Sequence, residues 1–164
     1  MAATDRQNGS VVDAVFGASA IVSTTAPTAA ELGALTDIEC GIVSGPDTPR
    51  NGSTIDISGL CDEENRKKAG PTDNGDITIT LWREFDGTDA FWTLFDDATQ
   101  GTQYLVIARG GWTTTGTPTA ADICDVYTVE VMSREPGAPV RGEAQRFTVM
   151  LAVTQVDFDA VVAA

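Results

Sequence analysis

Histidine is absent from the 164 residues. That absence removes the Ser-His-Asp and Cys-His catalytic pairings, the HExxH zinc site and every mixed Cys/His zinc centre. Cysteine is scarce: Cys40, Cys61 and Cys124 are odd in number and widely spaced. This fits reduced, partly buried thiols acting as small hydrophobes better than a disulfide framework. Basic residues are few, ten Lys and Arg against 24 Asp and Glu, for a net charge of -14. Such a chain repels nucleic-acid phosphates and anionic membrane surfaces, which argues against a sequence-specific DNA binder. No run approaches the roughly 18 consecutive apolar residues of a membrane-spanning helix. The segment "MAATDRQNGS" lacks the charged-then-apolar layout of a signal peptide, so the chain is expected to stay in the cytoplasm where it is made. Neither GxxxxGK[ST] nor a GxGxxG behind a strand occurs, and "RGGW" at 109–112 reads as a strand end rather than a phosphate cradle. No cofactor and no metal site is implied.

What is present is the material of one β-rich domain. The length suits a single domain with a real core. With 42% apolar and 21% charged residues and 16 Gly, the composition favours strands and turns over long helices. Residues 1–26 are rich in Ala, Ser, Thr and Val without a sustained period, which predicts an extended arm that orders against a partner, ahead of a single domain over 27–164. Thr28 followed three residues later by Glu31 is a capping box, opening a helix of little more than one turn that Gly33 closes. From Thr36 to Val43 the alternation predicts a half-buried strand, with Asp37, Glu39 and Gly41 facing away from Ile38, Cys40 and Ile42.

"SGPDTPRNGS" at 44–53 reads as a turn region. "TIDISGL" then alternates again, with Thr54, Asp56 and Ser58 opposite Ile55 and Ile57. "DITITLW" repeats the layout, Asp76, Thr78 and Thr80 against Ile77, Ile79 and Leu81, so three strands each present a polar, acidic and threonine-rich face. Between them, "CDEENRKKAGPTDNG" forms a charged connection too long for a hairpin turn. The period changes at Phe91, Leu94, Phe95 and Ala98, predicting the one good helix, about three turns long, with Asp86 or Thr88 as N-cap and Gly101 as stop. "QYLVIARG", "ICDVYTVEVMSRE" and "RFTVMLAVTQVDFD" predict three more strands, the last two joined by the hairpin loop "EPGAPVRG". The fold class is mainly β: an antiparallel sandwich or barrel-like fold of about six or seven strands with one packed helix.

The stretch "STIDISGLCDEEN...AGPTDNGDITITL" resembles the signature of siphophage major tail tube proteins. In that family a strand ends at a Thr/Ser-x-Leu-x-Asp step, here Ser58, Leu60 and Asp62. A long loop follows, and a Gly-x-x-Asx-x-Gly turn, here Gly70, Asp73 and Gly75, enters the next strand. "APTAAELGALTDI" is similar to the short helix before the first strand in many actinobacterial-phage tail tubes. The resemblance extends over roughly residues 26 to 159. One departure is "NRKKAG": Lys67, Lys68 and Ala69 stand where the family often has an apolar or aromatic residue.

The resemblance implies a structural virion protein, not an enzyme, forming rings of about six subunits that stack into a hollow tail tube through which DNA passes without specific binding. It also implies self-association, a tape-measure protein inside the tube, a terminator and a distal tail protein at the ends, and a place in the virion tail. In that setting the acidic polar faces would line the lumen, with Asp37, Glu39, Asp56 and Asp76 as candidates. The long loop, with Asp62, Glu63 and Glu64 followed by Arg66, Lys67 and Lys68, would reach an adjacent subunit or ring.

Plainer readings stand beside these. Alternating Asp and Thr also describe the solvent side of any antiparallel sheet, and a charged loop is often only solvated. "DNGD" at 73–76 could hold calcium but reads as a turn. Phe91, Trp92 and Phe95 read as core; Trp82 and Trp112, at strand ends, fit either a core rim or a subunit contact. An immunoglobulin-like decoration or binding module would share the β-rich layout and leave the loop unexplained. A two-carboxylate glycosidase would need Asp96 and Asp97 or Glu63 and Glu64, adjacent pairs that do not converge on a substrate.

Overall fold

The structure, a computed structural model, describes residues 13–18, 20–56, 67–83, 90–96, 101–113, 117–141 and 143–164. Its body is a seven-stranded antiparallel sheet in the order β2-β1-β7-β8-β9-β6-β3. The strands are β1 (Ala14–Gly17), β2 (Thr36–Asp37), β3 (Ile42–Asp47), β6 (Ile77–Trp82), β7 (Gln103–Ala108), β8 (Ile123–Pro136) and β9 (Arg146–Val161). β4 (Arg50–Asp56) and β5 (Lys67–Asn74) form a separate two-stranded sheet. Two short helices, α1 (Ala29–Gly33) and α2 (Ala90–Leu94), and a 3-10 turn at Glu39–Gly41 complete the described elements.

The sheet curls back on itself. Its two edges, β2 and β3, are joined by residues 38–41 alone. If flat, those edges would lie six strand spacings apart, about 29 Å at about 4.8 Å each. The five chain steps from Asp37 to Ile42 span at most about 18 Å. Register shifts within the β8–β9 ladder, between Cys124 and Val126, Thr128 and Val129, and Val131 and Ser133, provide the bulges that bend long strands. The result is a half-barrel.

The concave side is filled by Phe16, Leu105, Val129, Phe147 and the Ile77, Ile79 and Leu81 series, with α2 inserted as a plug. Phe95 is fully buried and stacks on Phe16 with ring centroids 4.3 Å apart. Burying such a ring contributes on the order of 2–3 kcal/mol. Gly41 is where the plug meets the joint between the two edges: a Cβ there would fall 2.7 Å from the Phe91 ring.

Several elements differ from the sequence expectations, each for a physical reason. Residues 14–17, assigned to an arm, form a fully buried strand between β2 and β7. Phe16 faces the half-barrel interior while Val15 faces α1, so both sides are apolar and the strand shows no alternation. The strand expected over Thr36–Val43 is broken by a 3-10 turn at Glu39–Gly41, where the chain crosses from one sheet edge to the other. Cys40 is consequently exposed, whereas Cys124 is buried as expected; Cys61 lies outside the described residues. The turn region at 44–53 shrinks to residues 48 and 49, because β3 and β4 extend into it. Most of the supposed loop from 62 to 74 is β5, which pairs with β4, so the strands at 54–60 and 76–82 are not partners. The described part of the helix predicted around Phe91–Ala98 is the five-residue α2, which ends at Leu94, ahead of the expected stop at Gly101; the expected N-caps Asp86 and Thr88 lie outside the described residues.

A candidate assembly surface

The convex side of the half-barrel divides in two. Over β1, β7 and the start of β8 it is covered by α1 and the C-terminal segment, burying Leu32, Leu35, Trp112, Val126 and Val162. The sequence sets this cover locally. Thr28 N donates to Glu31 Oε2 at 2.8 Å, and Glu31 N donates to Thr28 Oγ1 at 3.2 Å, the reciprocal capping box. The backbone N–H groups of Thr28 and Val22 hold the Glu31 carboxyl below its ordinary value. Ala29 N donates to the Ala163 carbonyl at 3.2 Å and Ala163 N to Pro27 at 2.8 Å, tying the C-terminus to the same layer. Asp122 is a buried carboxylate. It accepts the backbone and hydroxyl groups of both Thr113 and Thr119. Burial opposes its charge, but those hydrogen bonds outweigh it and hold its pKa low.

Over β3, β6, β9 and β8 the convex side is open, and the register makes it polar. Ser44 pairs with Thr80, Thr80 with Thr148, and Thr148 with Glu135, one row across four strands. The next row runs Asp47, Thr78, Met150, Ser133. The Ile77–Trp82 strand shows the cause: every second residue is buried on the concave side, so the residues between them must face outward. Glu130 and the bulged Met132 are also exposed on β8. At one end of the face Arg146 lies over Trp82, with its guanidinium 4.9 Å from the ring centroid.

The expected lumen residues are scattered relative to this face. Asp76 directly precedes β6 and borders it, exposed. Asp37 sits on β2, at the other edge of the sheet. Glu39 lies in the 3-10 turn and shares a hydrogen bond with Asp13; that bond, then burial, then the charges of Asp13 and Asp37 push its carboxyl up to about 7. Asp56 belongs to β4, away from the sheet body. Sequence reading missed Asp47, Glu130 and Glu135. Asp47 sits in Gly- and Pro-rich sequence that looks like a turn, and the outward direction of Glu130 and Glu135 depends on bulges in β8.

Of the loop candidates, Asp62, Glu63, Glu64 and Arg66 lie outside the described residues, while Lys67 and Lys68 open β5. Of the glycosidase candidates, Asp96 is bound to Arg134 at 3.2 Å, and the other three lie outside the described residues. Phe91, Trp92 and Phe95 are core or pack on it, Trp112 is buried and Trp82 is half-buried. Trp92 lies between the guanidinium groups of Arg83 and Arg134, 4.3 and 4.0 Å from its ring. Among the described residues no helix is long and apolar enough to cross a membrane, and no three acidic or sulfur ligands gather around a common point.

Comparison with known proteins agrees with this architecture. No curated protein matches the chain at a significant level. A chain in the cryo-EM structure of the anti-feeding prophage baseplate, six-fold symmetrised, shares the fold with a TM-score of 0.55. The two are 14% identical, over 90% of this chain and 89% of that one. The family model described as phage tail tube protein matches residues 1–164. The polar outer face and the half-barrel are therefore those of a phage tail structural protein, and the chain belongs to the phage tail tube protein family.

Proposed function

We propose that copies of this chain close into rings of about six and that the rings stack into a hollow tube. In this tube the open face of β3, β6, β9 and β8 is the inner wall. The observation that carries the reading is the division of the convex side: one half is sealed by α1, and the other is left as four strands of Thr, Ser and acidic residues. A ring of such sheets makes a continuous wide barrel whose water-facing surface has few groups to grip a phosphate backbone. Asp47, Glu130 and Glu135 give that surface negative charge, so a duplex passes without specific binding. Asp76 belongs at its border, and Asp37, Glu39 and Asp56 add to the acidity elsewhere. The similar prophage chain comes from a six-fold symmetrised assembly, which supports the ring size.

In this function the β4–β5 arm and residues 57–66 contact the next subunit or ring, with Arg66, Lys67 and Lys68 against acidic surface and Asp62, Glu63 and Glu64 against basic groups. The tube houses a tape-measure protein and is bounded by a terminator and a distal tail protein; the chain is made in the host cytoplasm and resides in the virion tail. The test is Thr148→Cys in a chain whose exposed Cys40, and Cys61, are changed to serine. In free subunits it reacts with both a small maleimide and a large polyethylene-glycol maleimide. In assembled tubes it reacts with the small one only. Equal reaction with both reagents in tubes would place the face outside.

A further inference from the structure

Among the described residues the β4–β5 arm pairs with no strand of the main sheet, and it joins that sheet through residues 48–49 and 75–76. A two-stranded ribbon on two short connections has no direction of its own. Its base, however, is held. Gly75 N donates to the Pro49 carbonyl at 2.9 Å, closing the two connections on each other. The Arg50 guanidinium, on the first residue of the arm, lies 5.2 Å from the centroid of Phe158 in β9. Phe158 is 41% exposed, unusual for a phenylalanine on a sheet whose interior is otherwise well filled. Its ring stands edge-on to Tyr127, at 6.1 Å and 88°. Tyr127, itself buried, hydrogen-bonds to Thr48, in the connection that leads into Arg50. Together with Val153 and Val156 these residues line a small cleft between the arm base and the β8–β9 ladder.

We propose that Arg50 and Phe158 form a seat that fixes the direction of the β4–β5 arm relative to the half-barrel, making Phe158 a positioning residue for assembly. The Arg50 guanidinium covers part of the half-open Phe158 ring, drawn to the ring face while its own charge stays in contact with water. Tyr127 and Thr48 tie the barrel interior to the first root of the arm, and the Gly75–Pro49 hydrogen bond ties the second root to the first. The consequence for assembly rests on the tube reading; the seat itself does not.

The experiment separates the two. Spin labels at exposed Lys68 and Glu130, in a chain with Cys40 and Cys61 changed to serine, report the arm direction in the free subunit. The distance distribution is narrow in this background. It broadens at least twofold in Arg50→Ala, in Phe158→Ala and, to the same extent, in the double variant, because the two residues act as a unit. Phe158→Tyr keeps it narrow. In parallel, each alanine variant raises the concentration needed for tube growth at least tenfold while its melting curve keeps the wild-type shape. A distribution that stays narrow in both single variants overturns the seat. So does a Phe158→Ala chain that fails to assemble while Arg50→Ala assembles normally, since Phe158 would then be touching the neighbouring copy directly. A wild-type chain that never assembles overturns the tube reading and leaves the distance result to decide the seat.

Discussion

Thr80 and Thr148 face each other across β6 and β9 with their hydroxyls 3.4 Å apart, at the centre of the open convex face. The pair uses both hydroxyls without adding charge, and its neighbours in the row are Ser44 and Glu135. Replacing both threonines by lysine leaves the fold intact, because neither side chain enters the core. In assembled particles it places two cations per subunit on the inner wall, and DNA release slows by an order of magnitude or more. Ejection kinetics of particles carrying the double variant check this; an unchanged rate would remove these residues from the DNA path.

The plug is the most sensitive point of the core. Phe95 meets Phe16 from β1 and, at 6.5 Å, Phe147 from β9, so it holds together strands far apart in the sheet order. Phe95→Ala is expected to cost about 3–5 kcal/mol, read from the midpoint of urea unfolding.

Glu39 gives the chain a pH dependence with a definite sign. Its carboxyl is pushed up to about 7 in the folded chain, above its ordinary value of 4.5, by its hydrogen bond to Asp13, by burial and by the charges of Asp13 and Asp37. The protonated form is favoured by folding, so its contribution is complete below the ordinary value and is lost as pH rises through about 7. Glu39→Gln is expected to raise the melting temperature at pH 8 and to flatten the fall in stability between pH 5 and 8. Thermal melts across that range decide it.

Asp122 works in the opposite direction. Its pKa is lowered in the folded chain by the Thr113 and Thr119 groups that overcome its burial. Its contribution is therefore present above the ordinary carboxylate value and lost as pH falls through it. Asp122→Ala removes the acceptor of four part-buried donors and is expected to cost about 1–3 kcal/mol at neutral pH, with the difference shrinking in acid.

Reversing the charges of Arg66, Lys67 and Lys68 is expected to leave the free subunit folded and to abolish tube growth. Circular dichroism of the subunit and sedimentation of the assembly mixture check the two halves separately.

How much of this was legible in the sequence depended on whether one face of an element meets water. β6 was readable residue by residue, since Ile77, Ile79 and Leu81 alternate with Thr78 and Thr80, and the Thr28–Glu31 capping box is a local signal with a local cause. β1 was not readable, because a strand covered on both sides has no polar residue to mark its period. The pairing of β4 with β5 was hidden by lysines and a proline in β5, which suit an exposed two-stranded arm but look like loop. The composition of the open face depended on the bulges in β8 and on Gly45, whose φ of +92° bends β3 beside Thr78. Such irregularities set which side a residue faces, and no alternation pattern encodes them.

The most direct test of the central claim is electron microscopy of the purified chain, concentrated in low and in high salt. Each subunit carries a charge of -14, so repulsion between copies weakens as salt shortens the screening length, and assembly should strengthen. The account predicts hollow tubes of uniform width with a regular ring repeat, more abundant in high salt. Small particles alone, at every concentration and salt, would contradict it.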